Sequence, residues 1–195
     1  MTGGDLWVVR HPAVAVRGIC YGRTDVPLAC TVEDASNRLQ QSFPGTTRSI
    51  LWSSPSSRCA NVAVKLASSW RTPVRLDDRL VELDFGAWEG RTWSCIERED
   101  GATYASWMND WQNVSPPSGE RLRDLTLRVD HWLAEQRARL SRAGSTWAPA
   151  LVTHAGVIRA LVVLLENVSW EDAMARDVPH LGWRRFTLAV DAQGK

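Results

Sequence analysis

Four short stretches carry residue types that can do chemistry together. The apolar run Leu6-Trp7-Val8-Val9 passes directly into Arg10 and His11. A buried strand ending in two cationic or potentially cationic groups is costly unless an anion arrives there. Arg58 stands in the first turn of a helix that follows a second apolar strand, where free backbone N–H groups and the positive dipole end also favour an oxyanion. A third apolar run, Ala150-Leu151-Val152-Thr153, ends in His154, and Glu82 lies among apolar residues in the aperiodic stretch 80–86. A histidine flanked by arginines suits phosphoryl transfer. A neutral imidazole nitrogen attacks phosphorus while the other nitrogen donates to a carbonyl and fixes the tautomer. Arg10 and Arg58 match the bidentate geometry of phosphate oxygens, and a protonated His154 neutralises charge on them. Glu82 supplies the proton for the leaving alcohol, its pKa raised by burial and by the departing phosphate. Asp84 is its rival, with a turn or cap as its ordinary role. Arg159, one turn beyond His154 on an apolar helix, reads as a buried arginine paired to a carboxylate, holding the wall of the site.

The elements that position these groups follow from the periodicity. After the opening strand, residues 12–30 are rich in Pro and Gly without periodicity, a long loop of the kind that carries function. Thr31 and Asp34 cap a helix whose face is Val32, Ala35, Leu39 and Phe43, ended by Pro44-Gly45. Residues 49–53 form a second buried strand, Pro55 takes the first position of the next helix, and residues 74–76 form a third strand. Two short helices are expected over 93–99 and 104–110, then a stop at Pro116-Pro117. The longest helix runs over 120–140 and buries Leu122, Leu125, Val129, Trp132, Leu133, Gln136 and Leu140. A linker over 141–149 leads to the strand at 150–153, a deeply packed helix over 155–165 and a weakly alternating edge strand over 183–190, with 191–195 fraying. Strands alternating with helices predict an α/β fold with a mostly parallel sheet covered on both faces. One domain spans 1–195, with residues 91–118 as an insertion covering one edge of the sheet.

Composition narrows the function classes. A net charge of +1 gives no argument for nucleic acid or an anionic membrane. No apolar run approaches the ~18 residues that span a bilayer, and a strand beginning at residue 6 leaves no room for a signal peptide. The 4 cysteines show no zinc-site spacing; reduced thiols in a cytoplasmic protein are the plain reading, with a disulfide left open. No metal or cofactor is called for. The partner is a small phosphomonoester, and monomer and homodimer both stay open. Among 11 tryptophans, Trp7, Trp52, Trp70 and Trp132 fit the faces of core elements, whereas Trp88, Trp93, Trp107 and Trp111 fall close together.

Taken in order, Arg10-His11, Ser54-Pro55-Ser56-Ser57-Arg58, Glu82-Leu83-Asp84-Phe85-Gly86-Ala87-Trp88-Glu89-Gly90 and Thr153-His154-Ala155-Gly156-Val157-Ile158-Arg159 resemble the signatures of the histidine phosphatase superfamily, over about residues 6 to 165. The resemblance implies a phosphoglycerate mutase-like three-layer α/β/α sandwich and a metal-independent phosphomonoesterase. It makes His11 the phosphorylated nucleophile, Arg10, Arg58 and His154 the phosphate ligands, and Glu82 the proton donor. The stretches 20–28 and 116–120 look most like the alpha-ribazole phosphatase branch, which implies removal of the 5′-phosphate of alpha-ribazole 5′-phosphate in cobalamin assembly. By the same resemblance Thr24 brings a hydroxyl near the phosphate. Arg17 stands where many members have asparagine, and either takes over a phosphate contact or faces water. Trp88 and Trp107, with Trp93, Trp111 and Tyr104, either form an aromatic wall for a flat base or build a satellite core. The chain departs from the pattern at Pro12-Ala13-Val14, where members usually have glycine followed by an acidic or polar pair. Two other readings stand beside this one: a broad sugar-phosphate or nucleotide phosphatase, and a non-catalytic phospho-ligand binder, to which Pro12 would lend weight because proline has no N–H to offer.

Overall fold

The computed structural model describes residues 3–45, 48–144 and 147–189. The strands are β1 (Gly3–Arg10), β2 (Ile50–Ser53), β3 (Val74–Leu76), β4 (Pro149–Thr153) and β5 (Trp183–Ala189). They form one sheet in the order β3-β2-β4-β1-β5. All pairings are parallel except that of β5, which runs antiparallel to β1 at the edge. The expected fraying of 191–195 and the last residue of the 183–190 strand lie outside the described residues.

The central strands β2 and β4 are buried along their whole length, as continuous apolar runs covered on both faces require. One face carries α1 (Val32–Ser42) and α2 (Ser57–Trp70), which join Val9, Leu51 and Val152 in one apolar cluster. The other carries α5 (Leu122–Ala143) and α6 (Ala155–Glu166), which pack on Leu6, Val8 and Leu151. Three layers result. The seven residues assigned to the inner face of α5 are the ones it buries. Thr31 caps α1 through a bond from the Asp34 N–H at 3.0 Å.

Several boundaries differ from the sequence reading: the helix expected over 104–110 spans 101–109, and the one expected over 120–140 spans 122–143, taking the start of the expected 141–149 linker. Pro55 precedes α2, whose cap is Ser56; the bond from the Ser57 N–H to Asp25 Oδ1 at 3.0 Å, a partner from a distant loop, sets the start. Beyond α6 there is a further helix, α7 (Trp170–Ala175), capped by Ser169. Residues 93–109 form α3 (Trp93–Glu99) and α4 (Gly101–Asn109). These build a small separate cluster around Cys20, Trp88 and Ile96. Among the described residues no helix is long and apolar enough to cross a membrane.

Candidate active site

The sheet order places the ends of β2, β4 and β1 side by side, and parallel pairing brings them out on one edge, where ligands of open α/β sheets bind. The backbone ladder runs one residue past the strands. His11 N–H donates to the Thr153 carbonyl at 2.9 Å, and Ser54 N–H to the Val152 carbonyl at 3.1 Å. His11 and His154 are therefore neighbours, their rings 5.2 Å apart edge to face. A cavity of about 420 Å³ opens on His11, with Arg10, Arg58 and Glu82 also in its lining; His154 is fully buried and is not part of the lining.

His11 Nδ1 lies 2.7 Å from the Pro12 carbonyl. A carbonyl only accepts, so Nδ1 carries the proton and the lone pair of Nε2 is free. Burial, against the bond to Pro12 and with Arg58 and Arg10, lowers the His11 pKa to about 3. His154, fully buried, holds Ser54 Oγ at 2.8 Å through Nε2, with Cys59 Sγ at 3.5 Å from the same nitrogen. Burial first, then Arg58 and His11, pushes its pKa well down. Burial, and then the fixed positive charge beside it, disfavours the imidazolium expected here.

Arg58 is 1% exposed. It donates to the carbonyls of Thr24 (2.9 Å) and Gly22, and Arg10 donates to that of Val178 at 2.9 Å. The Nε of each is buried without a partner. Both guanidiniums are thus aimed by backbone carbonyls, with donor capacity left over.

Glu82 follows the short 3₁₀ turn Asp78–Leu80. One oxygen accepts from its neighbour Leu83 N–H at 3.0 Å, the other from Gly156 N–H at 3.1 Å in the first turn of α6. Gly156 permits this approach, since a Cβ there would overlap Glu82 Oε1. Asp84 does not line the cavity; it accepts from Gly86 N–H at 2.8 Å and pairs with Arg23 at 3.3 Å, the ordinary role of a turn residue.

The remaining expected residues divide. Trp107, Trp93 and Trp111 line the apolar part of the cavity together with Phe85, Leu122 and Trp170. Trp88 does not: it is fully buried beneath them, its N–H bonded to Asp100 at 2.9 Å. Aromatic wall and satellite core are both present: Trp93 and Trp107 belong to both, Trp111 to the wall, and Trp88 and Tyr104 to the core. Arg17 is exposed and Thr24 contributes backbone contacts to Arg58 and Glu89; neither lines the cavity. Arg159 lines it but, contrary to the sequence reading, has no carboxylate partner among the described residues; the acid nearest along this face of α6, Glu82, is held instead by the N–H groups of Leu83 and Gly156.

Four organisers were assigned no role from the sequence, which left His180 open between approaching the substrate and capping a surface turn. Glu89 accepts from the N–H groups of Gly22, Arg23, Thr24 and Phe85 at 2.9–3.1 Å, folding the loop that holds Arg58. Burial opposes its charge, but these bonds prevail and its pKa is lowered. Arg128 donates to the carbonyls of Arg79 and Val81 at 2.7 Å and of Glu82 at 3.1 Å, and pairs with Glu120 at 2.7 Å. His180 Nδ1 lies 2.8 Å from the His11 carbonyl, with the two rings 5.3 Å apart. Asp25 is the fourth, at the start of α2.

Comparison with known proteins gives a consistent picture. A family model described as the histidine phosphatase superfamily (branch 1) matches residues 6–193. An adenosylcobalamin/alpha-ribazole phosphatase of Escherichia coli is 28% identical over 162 residues, 82% of this chain and 78% of the relative. A glucosyl-3-phosphoglycerate phosphatase of Mycolicibacterium vanbaalenii is 30% identical over 118 residues, 60% of this chain and 52% of the relative. Among solved structures, the alpha-ribazole phosphatase of Shigella flexneri superposes with a TM-score of 0.80 at 27% identity, covering 95% of both chains.

Proposed function

The chain belongs to the histidine phosphatase superfamily and is a phosphatase, and on that premise we propose that it hydrolyses a small phosphomonoester through a phosphohistidine at His11, without a metal or cofactor. The observation that carries the reading is the bond from His11 Nδ1 to the Pro12 carbonyl at 2.7 Å, which leaves Nε2 a free base between Arg10 and Arg58. Any residue offers a carbonyl, so proline at position 12 keeps this contact.

In the first step the Nε2 lone pair forms a bond to phosphorus as the P–O bond to the alcohol breaks. Glu82 gives its proton to the departing oxygen. In the second step water attacks the phosphorus of the phosphoenzyme, Glu82 takes a proton from that water, and the P–N bond breaks. His11 returns to neutrality and inorganic phosphate leaves; the sum is ester plus water to alcohol plus phosphate. Arg10 and Arg58 hold the phosphate oxygens, and a bound dianion favours protonation of His154 against the burial that now keeps it neutral.

For the substrate we propose alpha-ribazole 5′-phosphate, in the cytoplasm. Its flat base suits the wall of Trp93, Trp107 and Trp111, and the Escherichia coli relative carries that activity in its name. The test is hydrolysis of a phosphomonoester panel that includes it, in chelator, by wild type and His11→Ala. Activity is expected to persist in chelator and to fall by several orders of magnitude in the variant. Unchanged turnover by His11→Ala overturns the mechanism. A rate for alpha-ribazole 5′-phosphate no better than for p-nitrophenyl phosphate overturns the substrate and favours a broad-specificity phosphatase.

A further inference from the structure

An arginine on an apolar helix is ordinarily matched by a carboxylate, and Arg159 on α6 is not. Among the described residues it makes no ion pair or hydrogen bond, and its Nε is buried without a partner. Arg10 and Arg58 also have an orphaned Nε, but both are anchored by backbone carbonyls. Arg159 lines the same cavity, one helical turn beyond Ala155. It lies near enough to Arg10 that, after burial, its charge helps to lower the Arg10 pKa. Among the described residues the one carboxylate lining the cavity is Glu82, and that group is held by the N–H groups of Leu83 and Gly156. Among the described residues nothing therefore answers the Arg159 guanidinium, while Leu122, Trp111 and Trp170 in the same lining are apolar.

We infer that Arg159 is a specificity-determining residue that donates hydrogen bonds to oxygen acceptors on the leaving alcohol, either the hydroxyls of a pentose or a carboxylate. The inference rests on the phosphatase reading for the direction of the substrate: phosphate at Arg10 and Arg58, alcohol extending along α6. Charge-assisted bonds from a planar guanidinium give geometric selection as well as affinity. A phosphomonoester that offers no acceptor leaves the guanidinium unpaired and is discriminated against.

The test reads binding without turnover. Quenching of the cavity tryptophans is titrated in His11→Ala and in His11→Ala with Arg159→Gln, using inorganic phosphate, phenyl phosphate, ribose 5-phosphate and 3-phosphoglycerate. Removing the guanidinium is expected to weaken either ribose 5-phosphate or 3-phosphoglycerate by about 10-fold or more, and phosphate and phenyl phosphate by less than about twofold. Which of the two is weakened identifies the acceptor as hydroxyl or carboxylate. Arg159→Lys, which keeps the charge and loses the fork, is expected to fall between, and serves if the glutamine variant does not fold. Equal weakening of all four ligands makes Arg159 a phosphate ligand or a structural residue and overturns the inference, as does no weakening of either acceptor-bearing ligand. Failure of wild type to hydrolyse p-nitrophenyl phosphate, assayed in parallel, would sink the phosphatase reading and leave the binding comparison legible.

Discussion

At His11 the bond that sets the tautomer is made by the next residue of the chain, so it does not depend on how the loops around the cavity are placed. Replacing Pro12 by glycine keeps that carbonyl and adds an N–H toward the phosphate. Pro12→Gly is therefore expected to change kcat by no more than a few-fold while lowering stability by about 1 kcal/mol through the freer unfolded chain. Steady-state kinetics and urea unfolding check the two parts; a loss of kcat by more than about 100-fold would make the proline ring itself part of the site. Glu82 has a different signature. Its carboxyl matters most where the leaving oxygen is basic, so Glu82→Gln should slow an alkyl phosphate by about 100-fold or more and p-nitrophenyl phosphate much less. Equal loss on both substrates would remove the acid role. Histidines and arginines at strand ends were visible in the chain because an apolar run that stops in a charge is a local pattern. Arg159 was misread for the same reason: local pattern tells that a partner is needed, not whether the fold supplies one.

Among the elements, α5 does more than cover the sheet. Its residue Arg128 reaches across to the carbonyls of Arg79, Val81 and Glu82, and Glu120 also holds the guanidinium. The aperiodic stretch 77–90 thus has the strut that regular structure would otherwise give it. Arg128→Met should cost about 3 kcal/mol, because a largely buried carboxylate and three carbonyls lose their donor. It should also lower kcat more than it raises KM, since Glu82 shifts while the phosphate ligands stay. Urea unfolding with kinetics on an alkyl phosphate would test this; a stability loss with kcat intact would confine Arg128 to folding. The helices themselves were legible wherever an apolar stripe repeats, as on α5. What escaped was held by bonds between residues far apart in the chain: the Glu89 hub with Gly22–Thr24, Asp25 at the start of α2, His180 on the His11 carbonyl. Helix α7 had a readable cap, Ser169 with Asp172 three residues on, but too short a stripe to stand out. Trp88 and Trp107 could not be told apart, because the same residue type serves as core and as wall.

For the molecule as a whole, gathering arginines and histidines at one sheet edge has a cost that appears as pH dependence. His11 has its pKa lowered to about 3, and those of His154 and His180 are lowered too, by burial first and by neighbouring positive groups after it. In the unfolded chain these rings take up protons near the ordinary 6.5. Between 6.5 and 3 the unfolded state therefore binds more protons than the folded one, and stability falls as pH falls. Above 6.5 both states hold neutral rings and the slope vanishes. The carboxylates whose pKa is lowered, such as Glu89, Glu135 and Glu166, lose stability only below their ordinary value of 4.5. The window from about 4.5 to 6.5 thus belongs to the histidines. Unfolding free energies measured by urea at several pH values in it should decline on acidification, each ring contributing up to about 1.4 kcal/mol per pH unit. His11→Gln should show a shallower decline over the same interval and an unchanged plateau slope above pH 7. A flat profile from 7 to 5 in wild type, or the same slope in the variant, would mean that the site takes up protons without unfolding, and that the neutral imidazole needed for attack on phosphorus is not built into the fold.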